Sequence, residues 1–150
     1  MWFFPSYRLS ETDELRIQQS IKNAESGTSG EIRIYIGKLK KGEDILEKAR
    51  LKFEELGMYQ TKNRNAILFV YCPVQKSIAV WGDEGIHAVV SQNFWNELVN
   101  EIVEGFKTNH GVDALCQSIE KCGLFLKKHF PISSDSHNPN ELSDDVHYEN

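Results

Sequence analysis

AILFVYCPVQKSIAVWGDEGIH, residues 66–87, is the stretch whose reading decides the fold. AILFVYC (66–72) is a continuous apolar run with no charge, as expected of a central strand covered on both faces. PVQK makes a tight turn, and SIAVWGD (77–83) runs back as its antiparallel hairpin partner. Behind the hairpin comes a glycine-bracketed turn with two adjacent carboxylates, Asp83 and Glu84.

Upstream, EIRIYIG (31–37) alternates strictly. Ile32, Ile34 and Ile36 point one way and Glu31, Arg33 and Tyr35 the other, which predicts a strand with one strongly buried face. The segment between the two strands, GEDILEKARLKFEELG (42–57), has helical period through Ile45, Ala49, Phe53 and Leu56 and stops at a glycine. The first two strands should therefore be parallel and joined by a helical crossover. A further helix, 10–27, opens on Ser10 with Asp13 three residues on, a start resembling a capping box. Downstream, Ser91 caps a helix with Phe94, Leu98, Ile102 and Phe106 on one stripe. The last helix, roughly 111–129, should bury Val112, Leu115, Ile119, Cys122 and Leu126 before Pro131 ends it. The pattern is that of an α/β chain, a three-layer α/β/α sandwich with a small mixed β-sheet.

At 150 residues the chain fits one domain, residues 1–130, followed by an acidic tail, 131–150. Five of the 22 acidic residues (Asp135, Glu141, Asp144, Asp145, Glu149) lie in that tail with no Lys or Arg, leaving 17 to balance the 17 basic residues of the body. A balanced body lacks the basic face that nucleic acid requires, so nucleic acid is not an expected partner. The tail's composition suits a disordered or draped end, or an arm that docks another protein or the chain itself. In that last arrangement Glu141, Asp144 and Asp145 could add a ligand to the GDEG loop. Cys72, Cys116 and Cys122 are an odd set without a CxxC pair, read as reduced packing thiols; Cys116 and Cys122 should lie on different helix faces. No apolar run approaches a membrane span and no signal sequence is evident, so the protein is expected to be soluble and cytoplasmic.

Connectivity brings three loops together. The segment before the first strand, the loop before the second and the GDEG turn after the third should meet on one rim, so that Glu31, Asn65, Asp83 and Glu84 converge there. The turn has neither the spaced glycines of a dinucleotide fingerprint nor the lysine of a P-loop, and its carboxylates would repel phosphate. A hard cation suits it better, because Ca²⁺ accepts carboxylate and carbonyl oxygens in an irregular shell. The same two carboxylates also suit the first turn of a short helix, where they offset its dipole. Arg64 and His87 lie on or near the rim and could assist a phosphate held by a bound metal. The five histidines (His87, His110, His129, His137, His147) have no metal-ligand spacing and are expected at the surface, and Trp81 and Trp95 in packing roles. There is no GxSxG elbow and no HExxH, and no arginine follows Cys72 as a cysteine-dependent phosphatase would need.

SGEIRIYIG, RNAILFVY and SIAVWGDEGI, in that order and followed by two long helices ending near FP, resemble the TPM domain over roughly residues 10–131. PNELSDDV is similar to the tail of a small bacterial subgroup of soluble, stand-alone members. The resemblance implies an α/β/α sandwich with a surface groove near the three loops and binding of divalent cations, calcium more than magnesium. It also implies a link to a phosphatase activity attributed to part of the family, whose plastid members are associated with photosystem maintenance. The matching positions are Glu31, Asn65, Gly82 and Gly85. Ala66 stands where the family usually has glycine, and Ser91-Gln92 where many members have a Thr-Asp pair. The expected function is thus a non-enzymatic, divalent-cation-binding domain with Asp83, Glu84, Glu31 and Asn65 as metal ligands. The alternative is a metal-assisted phosphatase acting on phosphomonoesters at the same rim.

Overall fold

A computed structural model describes residues 8–132 and 145–149. Helix α1 (Glu11–Glu25) leads into β1 (Glu31–Ile36), and α2 (Ile45–Glu55) carries the chain to β2 (Ala66–Cys72). The hairpin partner β3 (Ser77–Gly82) is followed by a single turn, α3 (Glu84–His87), and by α4 (Gln92–Lys107) and α5 (Gly111–His129). A two-residue strand, β4 (His147–Tyr148), completes a sheet of order β3-β2-β1-β4. β1 and β2 are parallel in the register Glu31↔Ala66 to Ile36↔Tyr71, whereas β2 and β3 are antiparallel, Ile67↔Gly82 to Cys72↔Ser77.

Side-chain alternation sends the two faces of the sheet into separate cores. Ile32, Ile34, Ile36, Ile67, Phe69, Ile78 and Val80 face a layer built from α1, α4 and α5. Tyr35, Ala66, Leu68, Val70, Cys72 and Ala79 face α2 through Ala49 and Phe53. The result is an α/β/α sandwich around a small mixed sheet. The starts of the helices follow local chemistry: Ser10, Asp44 and Ser91 each accept a backbone N–H three residues on (Asp13, Glu47, Phe94) at 3.0–3.2 Å. Among the described residues no helix is long and apolar enough to cross a membrane.

Three expectations need correction. β1 is buried on both faces, Glu31, Arg33 and Tyr35 included; Tyr35 joins the core under α2 with Ala49 and Phe53, and β4 closes the strand's outer edge. On α4 it is Trp95, with Leu98 and Ile102, that fills the core; Phe94 and Phe106 are half-buried, Phe94 resting against Phe125. Cys116 and Cys122 lie apart on α5 and both are buried packing residues, as expected, since α1 and α4 flank that helix from two sides. All three thiols are unpaired, and burial pushes Cys72 up to about 11 and Cys122 up to about 12, so they stay protonated and pack as apolar groups.

The third correction concerns the tail. Asp135, Glu141 and Asp144 lie outside the described residues, but residues 146–149 are half-buried and lie away from the GDEG loop. His147 and Tyr148 pair in parallel with Tyr35 and Ile36, at the sheet edge opposite β3. Asp145, two residues earlier, therefore cannot add a ligand at Asp83. His147, expected at the surface, is half-buried there, while His87, His110 and His129 are exposed as expected.

Candidate functional site

β1 and β2 begin, and β3 ends, at one pole of the sheet. The register places Glu31, Ala66 and Asp83 side by side there, since Asp83 N–H donates to the Ala66 carbonyl at 3.0 Å. The three loops do meet. Asn63 and Asn65 both donate through their amides to Ser29 Oγ at 3.0 Å, tying the Tyr59–Asn65 loop to the turn before β1. Gly85 N–H donates to the Arg64 carbonyl at 2.9 Å, tying the same loop to GDEG. A Cβ on Gly85 would stand 2.5 Å from the Asn63 carbonyl oxygen and 2.6 Å from that of Arg64, so this close approach requires glycine.

Asp83 and Glu84 open the short helix α3. Asp83 Oδ1 accepts from the Glu84 N–H at 2.8 Å, a cap made within the turn. Both oxygens of Asp83 also face Arg64: Nε donates to Oδ2 at 2.7 Å and Nη2 to Oδ1 at 2.9 Å, while Nη1 reaches Glu84 Oε1 at 3.2 Å. This fork-to-fork geometry is the strong form of an Arg–carboxylate pair. The hydrogen bond to Asp83 is the main reason that the Arg64 guanidinium is held above its ordinary value. Arg64 reaches the acids from a left-handed backbone, φ 51°, which few non-glycine residues adopt.

The predicted ligands thus divide into two groups. Asp83 and Glu84 converge on one positive charge; the Asp83 side chain is 6% exposed and that of Glu84 71%. Asn65 and Glu31 are buried beneath them and linked to each other, Glu31 N–H donating to the Asn65 carbonyl at 3.4 Å. Glu31 shares its face of the sheet with Arg33, whose guanidinium is lowered by burial and raised in part by the Glu31 charge. His87 does not turn toward the acids; its ring meets Trp81 edge-on at 5.9 Å. Trp81 is half-buried and, with Arg50, Tyr59 and Arg64, lines an open groove of about 500 Å³ running from Asp83 along α2. Among the described residues no three His, Cys, Asp or Glu side chains gather into a ready-made metal centre.

Ser29 and Asn63 fall in the two loops expected at the rim, but their tie was not legible, and Glu25 was not expected there at all. Glu25, at the end of α1, is buried and its Oε2 accepts from the Ile32 N–H at 2.8 Å, fixing where β1 begins. Nothing in a sequence distinguishes that carboxylate from the solvated acids elsewhere on α1. The only local hint at Ser29 and Asn63 is that both precede strands, where a small polar side chain often ties loops together.

A family model for the TPM domain matches residues 6–122. Among solved structures, the NMR structure of the BA42 protein from the psychrophilic bacterium Bizionia argentinensis is similar at 33% identity and TM-score 0.86, covering 97% of this chain and 99% of that one. The N-terminal domain of the cg2496 protein from Corynebacterium glutamicum (12% identity, TM-score 0.64, 93% and 86% of the two chains) shares the fold. So does the N-terminal domain of a P. gingivalis protein (13% identity, TM-score 0.68, 83% and 82%). No protein of curated function matches the chain.

Proposed function

The chain belongs to the TPM domain family, and from that premise we propose that it is a non-enzymatic module that binds a divalent cation at the rim, Ca²⁺ in preference to Mg²⁺. One observation carries the reading: two carboxylates from the GDEG turn close on a single positive group, the Arg64 guanidinium. That guanidinium stands in for the cation. Its side chain is 40% exposed, so it can swing into solvent and leave Asp83 and Glu84 to an ion.

Two carboxylates alone make a weak site, and neutral oxygens would have to complete it. The Asn63 and Asn65 amides, Ser29 Oγ and the carbonyls of the 60–65 loop are the nearest groups of that kind, with Glu31 below them. An irregular, oxygen-rich set suits Ca²⁺, which tolerates variable geometry, better than Mg²⁺, which demands an octahedron. The phosphatase alternative has less support, because the chain carries no nucleophile signature and His87 packs against Trp81 rather than turning to the acids.

The test is an amide NMR titration of EDTA-treated protein with Ca²⁺ and then Mg²⁺, to low millimolar. Saturating shifts should cluster at residues 29–31, 60–66 and 82–87, stronger for Ca²⁺, and vanish in Asp83→Asn/Glu84→Gln. Unchanged binding in that double variant would place the site elsewhere.

A further inference from the structure

The opposite pole of the sheet carries a second recess, unrelated to the rim. Here the β2–β3 hairpin turn overhangs the end of α4, and a groove of about 450 Å³ opens between them. That volume lies within the range of sites for small organic ligands. Its walls are apolar: Tyr71 and Ile78, paired across the hairpin, on one side, and Val103 and Phe106 of α4 on the other. The Tyr71 and Phe106 rings stack on each other with centroids 4.4 Å apart and 26° between planes, joining the two sides by an aromatic pair.

Its mouth is positive. Lys76 and Lys107 border the groove and are both exposed. Among the described residues the ion-paired lysines are Lys48, Lys52 and Lys121, so neither mouth lysine has a carboxylate partner. Among the described residues no acidic side chain lines the recess. Lys76 is set by the turn in a left-handed backbone, φ 52°, which fixes where its stem leaves the hairpin. The Tyr71 hydroxyl donates to no protein acceptor among the described residues, and burial pushes the phenol up to about 12, so it is a donor at any physiological pH. In a chain of net charge −5, this concentration of donors and unpaired positive charge beside an aromatic pair is a local departure.

We propose that this groove binds a small amphipathic anion: a planar or branched apolar body of about ten to fifteen non-hydrogen atoms that bears one carboxylate. The apolar body lies against Ile78, Val103 and the exposed edges of the Tyr71–Phe106 pair, and the carboxylate sits at the mouth between Lys76 and Lys107. The recess also opens at the carboxyl ends of the parallel strands β1 and β2, the side where open α/β sheets commonly place ligands.

3-Phenylpropionate and its neutral isostere 3-phenylpropionamide are suitable probes, titrated into the full chain to ~10 mM with amide NMR as readout. The acid should shift Tyr71, Ile78, Val103 and Phe106 in a saturable manner, with a Kd of about 1 mM, as expected for so small a ligand. The amide should bind at least about fivefold more weakly, the effect of removing one charge interaction at an exposed site. Lys76→Gln/Lys107→Gln should cost the acid a similar factor and leave the amide unchanged, and its two exposed positions carry no part of the core. Equal affinity for acid and amide, an unchanged double variant, or the absence of saturable shifts at these four residues would each overturn the proposal.

Discussion

Both poles of the sheet hold a basic side chain against carboxylates, and they differ in which partner is buried. At the rim, Arg64 is 40% exposed and closes over Asp83, at 6%. At the far pole, Lys48 on α2 is only 5% exposed and its ammonium meets Glu149 at 2.8 Å and Glu43 at 3.6 Å. Glu149 also accepts from the Lys38 N–H at 3.1 Å and from the Tyr35 hydroxyl at 3.3 Å, and its own N–H donates to the Ile36 carbonyl at 2.9 Å. Next to it the Tyr148 hydroxyl donates to Glu14 at 2.6 Å and accepts from the Leu9 N–H at 3.1 Å. A buried ammonium has no solvent to fall back on, so its carboxylates are structural; a partly exposed guanidinium is free of that constraint, which is what the proposed exchange for a cation requires.

That contrast can be broken most severely at Lys48. Lys48→Met removes the cation, leaves Glu149 without its principal donor and should cost about 2–3 kcal/mol, with loss of amide protection at Tyr148 and Glu149. A thermal melt shifted by less than a degree, with β4 protection intact, would show that the strap is held by its backbone pairing alone. Gly85→Ala attacks the rim through its backbone and should cost about 2 kcal/mol, because the new methyl must displace two carbonyls of the 60–65 loop. Rim amides, and not those of β4, should move.

Acidification should loosen the strap before the rim. Burial, and then the Arg33 charge, lower His147 from its ordinary value near 6.5. Burial raises Glu149, but the Lys48 hydrogen bond and charge outweigh it and hold the carboxyl low. A group whose folded pKa is depressed contributes stability above its unfolded value and loses it as pH falls through the folded one. Both groups therefore weaken β4 in the same direction, beginning below about pH 6.5 and continuing through the carboxylate range. Hydrogen exchange at Tyr148 and Glu149, followed from pH 7.5 to 4, should accelerate ahead of exchange in β2.

The smallest structural effect belongs to Arg64→Ala, which should move the melting temperature less than either variant above. Its signature is in binding: with the competing guanidinium gone, Ca²⁺ affinity at Asp83 and Glu84 should rise by roughly fivefold. A fall in affinity would mean that Arg64 supports the site and does not compete for it.

The sequence was legible wherever the signal was local. AILFVYC read as the central strand, Ser10 and Ser91 as caps and PVQK as a turn, since period, capping and turn chemistry act over a few residues. The meeting of the three loops was also legible, because strand order and direction fix which loop ends share a pole. The roles of the rim side chains were not. Asp83 reads as a free acid until a residue 19 positions away, in a left-handed conformation, is found to grip it. Arg33 and Glu31 lie on the face that alternation marks as polar, yet the folded chain buries both.

What the sequence determined by itself is the α/β/α order, the parallel β1–β2 pair, the hairpin and the rim, all consequences of hydrophobic period and of short connections. Only the tertiary structure decided that the last residues form a fourth strand, that Lys48 is buried to receive Glu149, and that Arg64 stands between Asp83 and Glu84. Each of these joins residues far apart in the chain. A charge carries no mark of its partner in the sequence; the pairing is set by which surfaces the packed layers bring within 3 Å, and by which of the two groups that packing removes from water.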